Sequence, residues 1–350
     1  MVEIDGSYYS GGGQIVRTAT ALSTLTNTPV KIFNIRAKRD NPGLREQHLQ
    51  AVKALATLSA AETVGLNIGA TELLFIPSQL PPRKVLNIHI STAGSIGLIL
   101  QALLIAAAKM ETLEVNIDGG ATWGKWAPPV EYIKTVFLPI LSCMGFNIKI
   151  NVLREGFYPI GGAVVKVHTT KANFKKLELL SRGELRNIRG VSVCSLSLRD
   201  KNIAERQRDA AYNILSSHFN IKPYIDVKYV NTKCPGTGIH LYAIYENTII
   251  GGNALGEVGK RAEEVGTEAA KTLISECNNA GCVDSYLADQ ILPYLALWCY
   301  YGNHESKVYI TKLTEHCRSN IYVIEKFLKN VTFTYDEEEK ILSVKRITNE

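Results

Sequence analysis

Four short stretches of the chain carry side chains that could hold a phosphate or form a bond to one. The first is Gly11-Gly12-Gly13-Gln14, with Arg17 one turn further on. Placed between a strand and a helix, consecutive glycines let the backbone come close to a ligand, and the free N–H groups of the helix start favour an anion. The stretch fits neither G-x-G-x-x-G nor G-x-x-x-x-G-K-[ST], so the dinucleotide and P-loop fingerprints are missing and a plain tight turn is an alternative. The second stretch is basic: Arg36, Lys38, Arg39 and Arg45 surround Asn41-Pro42. Asn can cap a helix and Pro suits its first position, so a helix is expected from there to about Ser59, with the guanidinium groups at its N-terminus. A solvated charged loop is the plainer reading.

The third stretch is Tyr286, Asp289 and Gln290, which spacings of three and four residues place on one helical surface. A ring beside a carboxylate and an amide could hold a nucleoside; a packed Tyr with a capping Asp would leave the same pattern. The fourth is His316 beside Cys317, ahead of a helix expected to begin near Ser319. The positive end of a helix dipole disfavours imidazolium and so keeps the ring neutral, the state that nucleophilic histidine needs. The same field favours a thiolate, so placement does not choose between the two residues. Other histidines show no H-E-x-x-H spacing. The seven cysteines show no C-x-x-C pair, which argues against structural zinc and a disulfide framework, although Cys277 and Cys282 are close enough in sequence to pair.

Strands and helices alternate from end to end to hold these groups in place. A recurring unit of strand, small-residue loop and amphipathic helix is read at Val2–Ile4, Gly6–Gly13 and Ile15–Leu25. It is read again at Val85–Ile90, Ser91–Ser95 and Ile96–Lys109, and at Leu113–Ile117, Asp118–Gly120 and Val130–Leu141. Ile-Asp-Gly stands at both 4–6 and 117–119, as internal duplication would leave it. Charged residues thicken after Leu180, and a second unit is expected there. It would hold the strand Val191–Leu198, the helix Ile203–Ser217, strands at Ile225–Val230 and Ile239–Tyr245, and the helix Glu257–Ser275. The helix Tyr286–Tyr300, the strand Val308–Leu313, the helix Ser319–Leu328 and a hairpin at Asp336–Lys340 close the chain and can return to the first domain.

At 350 residues, with 46% apolar and 21% charged side chains, the chain has the composition of a globular protein of two or three domains, not of a disordered or fibrous one. Its formal charge of +6 suits a phosphate-rich partner. The apolar run Ile96–Ala108 is too short to span a bilayer, so no membrane association is expected. The start of the chain lacks the basic and apolar regions of a signal peptide, so a cytoplasmic location is expected.

Taken together, the motifs resemble the RNA 3'-terminal phosphate cyclase family. The matching text is Asp5-Gly6 with Gly11-Gly12-Gly13-Gln14 and Arg17; Ile35-Arg36-Ala37 with Pro42-Gly43-Leu44 and Gln47-His48-Leu49; and Ala93-Gly94-Ser95 with Gln101. Further along stand Ala127-Pro128-Pro129, Gly156-Phe157-Tyr158-Pro159 with Gly161-Gly162, Ala288-Asp289-Gln290, and His316 with Asn320. They follow the family's order over nearly the whole chain. The resemblance implies an α/β (α+β) fold in which three repeated units, each a four-stranded sheet with two helices, form a large domain (1–182 and 278–350). A smaller α/β domain is inserted at 183–277. It implies ATP as co-substrate with a divalent cation, Mg or Mn, and an RNA with a 3'-phosphate end as partner. His316 would take AMP from ATP and pass it to the RNA 3'-phosphate, after which the 2'-hydroxyl displaces AMP to leave a 2',3'-cyclic phosphate. By the same transfer, Gln14, Arg17, Arg36, Arg39 and Gln47 look like phosphate-site residues. Gln101, Pro128, Tyr286, Asp289 and Gln290 look like the nucleotide pocket.

One departure stands out. The family usually reads Gly-Glu before the triple glycine, the Glu helping to hold the metal; here those positions are Tyr9 and Ser10. Glu3 or Asp5 could substitute, or ATP and water could hold the cation. The departure keeps open a second reading, a non-catalytic cyclase-like factor that binds RNA in ribosome biogenesis. A third, a small-metabolite transferase of related architecture, has no supporting motif. A homodimer is compatible with the sequence.

Overall fold

The computed structural model describes residues 1–78, 85–125, 127–302 and 304–347. They form a mixed α/β protein with four four-stranded sheets. The first sheet holds β1 (Val2–Asp5), β2 (Val30–Phe33), β3 (Glu62–Val64) and β4 (Leu73–Ile76) in the order β1-β2-β4-β3. Only β1 and β2 run parallel. A parallel neighbour needs a crossover, and the Gly13–Thr26 helix supplies it.

The second sheet repeats this plan. Its strands are β5 (Val85–Ser95), β6 (Thr112–Ala121), β7 (Asn147–Arg154) and β8 (Val164–Thr170), in the order β5-β6-β8-β7, with β5 parallel to β6. A third begins with the two-residue β9 (Glu178–Leu179) and is then interrupted. The strands β10 (Leu185–Ser195), β11 (Tyr224–Val230), β12 (Thr237–Tyr245) and β13 (Ile249–Leu255) form a sheet of different order, β11-β10-β12-β13. The chain then returns with β14 (Ser306–Tyr309), β15 (Val331–Asp336) and β16 (Ile341–Arg346). They complete the order β9-β14-β16-β15, with β9 parallel to β14. Three sheets therefore share one strand order, and the fourth does not.

One continuous apolar core runs through those three sheets. The Ile96–Ala106 helix is apolar except at Gln101, because the Gly13–Thr26 and Glu46–Ser59 helices both pack on it. The Glu315–Phe327 helix packs on Gly13–Thr26 from another side, which brings the last part of the chain onto the first. The β10–β13 sheet has a core of its own, in which Ile188 and Leu241 of the strands and Leu273 of the Ala262–Asn278 helix are fully buried, with the Ile203–His218 helix packed beside it. A small cluster of Trp123 and Phe157 against Val191, Val193 and Cys234 joins the two bodies.

Several boundaries differ from the expected ones. Ser91–Ser95 continues β5 instead of looping, with a register shift against β6. Tyr286–Tyr300 is two helices, Ser285–Gln290 and Leu292–Gly302, offset at Ile291. The helix expected from Asn41 begins at Glu46. Gly43 adopts φ +77°, its N–H donates to the Ile35 carbonyl, and that of Leu44 donates to Ala70, so residues 41–45 are held by distant chain. All seven cysteines are free, including Cys277 and Cys282. Among the described residues no helix is long and apolar enough to cross a membrane.

Candidate active site

The triple glycine is explained by what surrounds it. Gly11 turns the chain at φ +54°, and a Cβ on Gly13 would fall 1.9 Å from the His48 ring. Gly12 lies against the imidazole of His316, where a Cβ would meet Cε1 at 3.6 Å. The glycines thus admit two rings, one from each side, to the start of the Gly13–Thr26 helix.

His316 is in the first turn of the Glu315–Phe327 helix, not ahead of a later one. Thr314 caps that helix, its Oγ1 accepting the Cys317 N–H at 3.1 Å. The imidazole Nδ1 is 2.9 Å from Gln14 Oε1, and Gln14 Nε2 donates to Asp289 Oδ2 at 3.0 Å. An ionised Asp289 can only accept, which orients the Gln14 amide so that its oxygen takes a proton from Nδ1. The lone pair is then on Nε2, the tautomer a nucleophile needs. Burial, with the charges of Arg39 and Arg17, holds the imidazole pKa below 6.5, so the ring is neutral at pH 7. The neighbouring thiol of Cys317 is pushed the other way, up to about 11 by burial, and remains protonated.

Asp289 is held at both ends. Asn320 Nδ2 donates to the Asp289 backbone carbonyl at 2.7 Å and Asn320 Oδ1 accepts from Thr18 Oγ1 at 2.8 Å, tying three helices together. Burial pushes its carboxyl up to about 7 against the opposing pull of Gln14 and Arg17. The helix that carries it begins at Asp284, a fully buried carboxylate that accepts from the backbone of Tyr286 and Leu287. Asp284 also accepts from Tyr132 Oη at 2.6 Å and from the Gly251 N–H of β13 at 2.9 Å.

The ten residues that the resemblance gave to phosphate or nucleotide line one cleft of about 1180 Å³: Gln14, Arg17, Arg36, Arg39, Gln47, Gln101, Pro128, Tyr286, Asp289 and Gln290, together with His316; Lys38 of the basic run is not on its wall. Tyr286 is 40% exposed and so is not the buried ring of the plainer reading. The arginines differ in what they do. Arg36 is engaged by its own loop, Nη1 donating to the carbonyls of Asn41 at 2.6 Å and Gly43 at 3.1 Å. Arg39 donates to the Ser10 carbonyl at 2.9 Å. Arg17 is buried with Nε unpartnered, and Gln290 Oε1 is likewise buried and unpartnered. An orphaned donor and acceptor on the wall of a cleft fit a polar ligand that would satisfy both.

A metal fits less well. Among the described residues no group of three His, Cys, Asp or Glu side chains is placed to hold one, and the carboxylates lining the cleft are Asp289 and Glu46. Ser10 Oγ is 3.0 Å from Ser319 Oγ. Asp5 accepts from Ser7, and neither it nor Glu3 lines the cleft.

His48, read only as part of a matching motif, and Arg45, read only as part of the basic run, were given no individual role, yet both line the cleft. The Arg45 N–H donates to His48 Nδ1 at 3.1 Å, which leaves the proton on Nε2. Burial and three nearby arginines push the ring down to about 3, so it is a neutral donor at the cleft wall. Its position three residues into a helix beside a basic run was the available signal.

Fold and cleft together define a mixed α/β protein with a neutral histidine set among arginines, an arrangement that suits a polyanionic phosphate ligand. Residues 8–334 match the family model described as RNA 3'-terminal phosphate cyclase. The chain is 42% identical over 336 residues to a protein of that name from Methanopyrus kandleri, covering 94% of this chain and 93% of the relative. It is equally similar to the one from Saccharolobus solfataricus, over 330 residues and 94% of each chain. The match to the Pyrococcus furiosus protein is 42% over 336 residues, 95% of this chain and 94% of the relative. The chain belongs to the RNA 3'-terminal phosphate cyclase family.

Proposed function

We propose that this chain uses ATP to convert an RNA 3'-phosphate to a 2',3'-cyclic phosphate through an AMP carried on His316. The observation that carries the reading is the hydrogen-bonded line from Asp289 through Gln14 to His316 Nδ1, which leaves Nε2 free to attack. Nε2 forms a bond to the α-phosphorus of ATP as the bond to pyrophosphate breaks. Arg17 and Arg39, both on the cleft wall, would stabilise the charge that moves onto the leaving group. An oxygen of the RNA 3'-phosphate then attacks the same phosphorus and breaks the N–P bond. Protonated imidazole is a good leaving group, so the step restores the free histidine. Finally the 2'-oxygen attacks the RNA phosphorus, loses its proton and expels AMP.

Tyr286 and Pro128, both on the cleft wall, would hold the adenine by its two faces, with Gln290 and Gln101 beside them. A divalent cation would arrive bound to the nucleotide's own phosphates, since the chain offers few carboxylates to hold it. Separate apolar cores support a division into 1–182 with 278–350 as one body and 183–277 as an inserted domain. A cytoplasmic location accords with the free cysteines.

Incubation with α-labelled ATP tests the reading. The protein should retain an adduct that is labile in acid and stable in base, absent from His316→Ala and present in Cys317→Ser. Covalent AMP on a folded His316→Ala protein would overturn the assignment. RNA binding with no adduct in the wild type would favour the non-catalytic reading, which the Ser10 departure keeps open.

A further inference from the structure

The loop Gly156-Phe157-Tyr158-Pro159 with Gly161-Gly162 enters none of these steps, yet it is firmly anchored beside the cleft. The Phe157 ring is buried against Trp123, with centroids 6.2 Å apart, and its carbonyl accepts from Gly161 N–H at 2.6 Å and Cys234 Sγ at 3.3 Å. The Gly156 carbonyl accepts from the backbone of Thr122 and Trp123 at 3.0 and 3.2 Å. Between these fixed points Tyr158 lines the cleft with 63% of its surface exposed. Lys125 Nζ lies 5.5 Å from its ring centroid and is held in place by Glu257 at 3.0 Å, beyond the end of β13. Lys125 lines the same cleft.

A cleft of about 1180 Å³ exceeds the roughly 300–1000 Å³ of most small-molecule sites. It also has a second exposed aromatic, Tyr286, among the nucleotide-side residues. An exposed ring beside an ammonium, on a rigid loop, is the combination that binds a single-stranded nucleic acid without reading its sequence. We propose that Tyr158 is a stacking platform for a base at the 3' end of the RNA, and that Lys125 receives an adjoining phosphate. An ammonium has three donors, so it can contact a phosphate while still held by Glu257. The inference rests on the function proposed above, since it takes the RNA end as the ligand.

The test uses RNA oligonucleotides with a 3'-phosphate and 2-aminopurine as the terminal or the penultimate base. Binding to the wild type and to Tyr158→Phe should quench the fluorescence at one of these positions. Tyr158→Ala should lose the quenching and raise KM for RNA about tenfold, with kcat changed less than about twofold. Lys125→Gln should lower the salt slope of RNA binding by about one. Self-adenylation without RNA, measured on the same preparations, reports separately on the function proposed above. Quenching and KM unaltered in Tyr158→Ala would overturn the platform, and an unchanged salt slope would remove Lys125 from it.

Discussion

His316 and Gln14 meet at 2.9 Å, imidazole Nδ1 to amide Oε1, although 302 residues of chain separate them. The contact sets which imidazole nitrogen carries the proton only because Gln14 is itself oriented by Asp289. Gln14→Met fills similar space and offers no acceptor. Self-adenylation should fall about 100-fold while thermal stability stays close to wild type. Single-turnover transfer from labelled ATP measures the first, and a melting curve the second.

The acid side of the pH profile should belong to Asp289 and not to the histidine. Burial raises the Asp289 carboxyl to about 7, Gln14 and Arg17 draw it down, and the charge of Asp284 raises it further. His316 titrates below 6.5. As pH falls through about 7, Asp289 takes a proton, the Gln14 amide is free to turn, and self-adenylation should decline. Asp289→Asn should be slow and lack that inflection; an unchanged inflection would assign it elsewhere.

The same residue makes a signed prediction for stability. The folded protein keeps the Asp289 proton up to about pH 7, whereas an ordinary Asp releases it near 3.8. The native state therefore binds more protons between those values, and stability falls as pH rises through the window. This residue alone should contribute roughly 4 kcal/mol of that fall. Urea titrations of wild type and Asp289→Asn should show the difference between them moving in favour of the variant from pH 4 to pH 7.

The residue types of the cleft are legible in the sequence because each is tied to a local pattern: glycines before a helix, a basic run, a shared helical face, a histidine near a helix start. What joins them is not local. His48 enters the site through the Gly13 backbone, and Asp284 through Tyr132 and Gly251, contacts for which no short motif exists. The start of the Glu46 helix was displaced for the same reason, since Leu44 is buried and bonded to Ala70. Strand β13 was missed because Gly251-Gly252 interrupts its alternation. Cβ atoms there would come within 2.6 Å of Tyr132 and of the Leu273 backbone, so packing demands the glycines that hide the strand.

The arginines, grouped by sequence, should separate in experiment. Arg39→Ala and Arg45→Ala should each lower the salt slope of RNA binding by about one, as lost phosphate contacts do. Arg36 also holds Asn41 and Gly43, so Arg36→Ala should lose a further 1–3 kcal/mol or so of folding stability. Filter binding across a salt series, with denaturant melts of the same proteins, distinguishes the two behaviours.

Ser10→Glu restores the carboxylate that the family usually carries. Ser10 sits beside Arg39 and Ser319, next to the glycine that faces His316. The variant should reach half-maximal self-adenylation at a lower concentration of Mg or Mn. No shift would mean that the nucleotide's phosphates and the existing carboxylates already suffice.

The interruption between β9 and β14 governs the order in which a ribosome can deliver this fold. β9 is made early and must wait, unpaired, until the β10–β13 sheet has been synthesised. That sheet has its own core and can fold meanwhile. A strand of only two residues, Glu178–Leu179, is a poor template for wrong pairing during the delay. The helix bearing His316 follows β14, so the cleft wall is incomplete until residues 315–327 have been made.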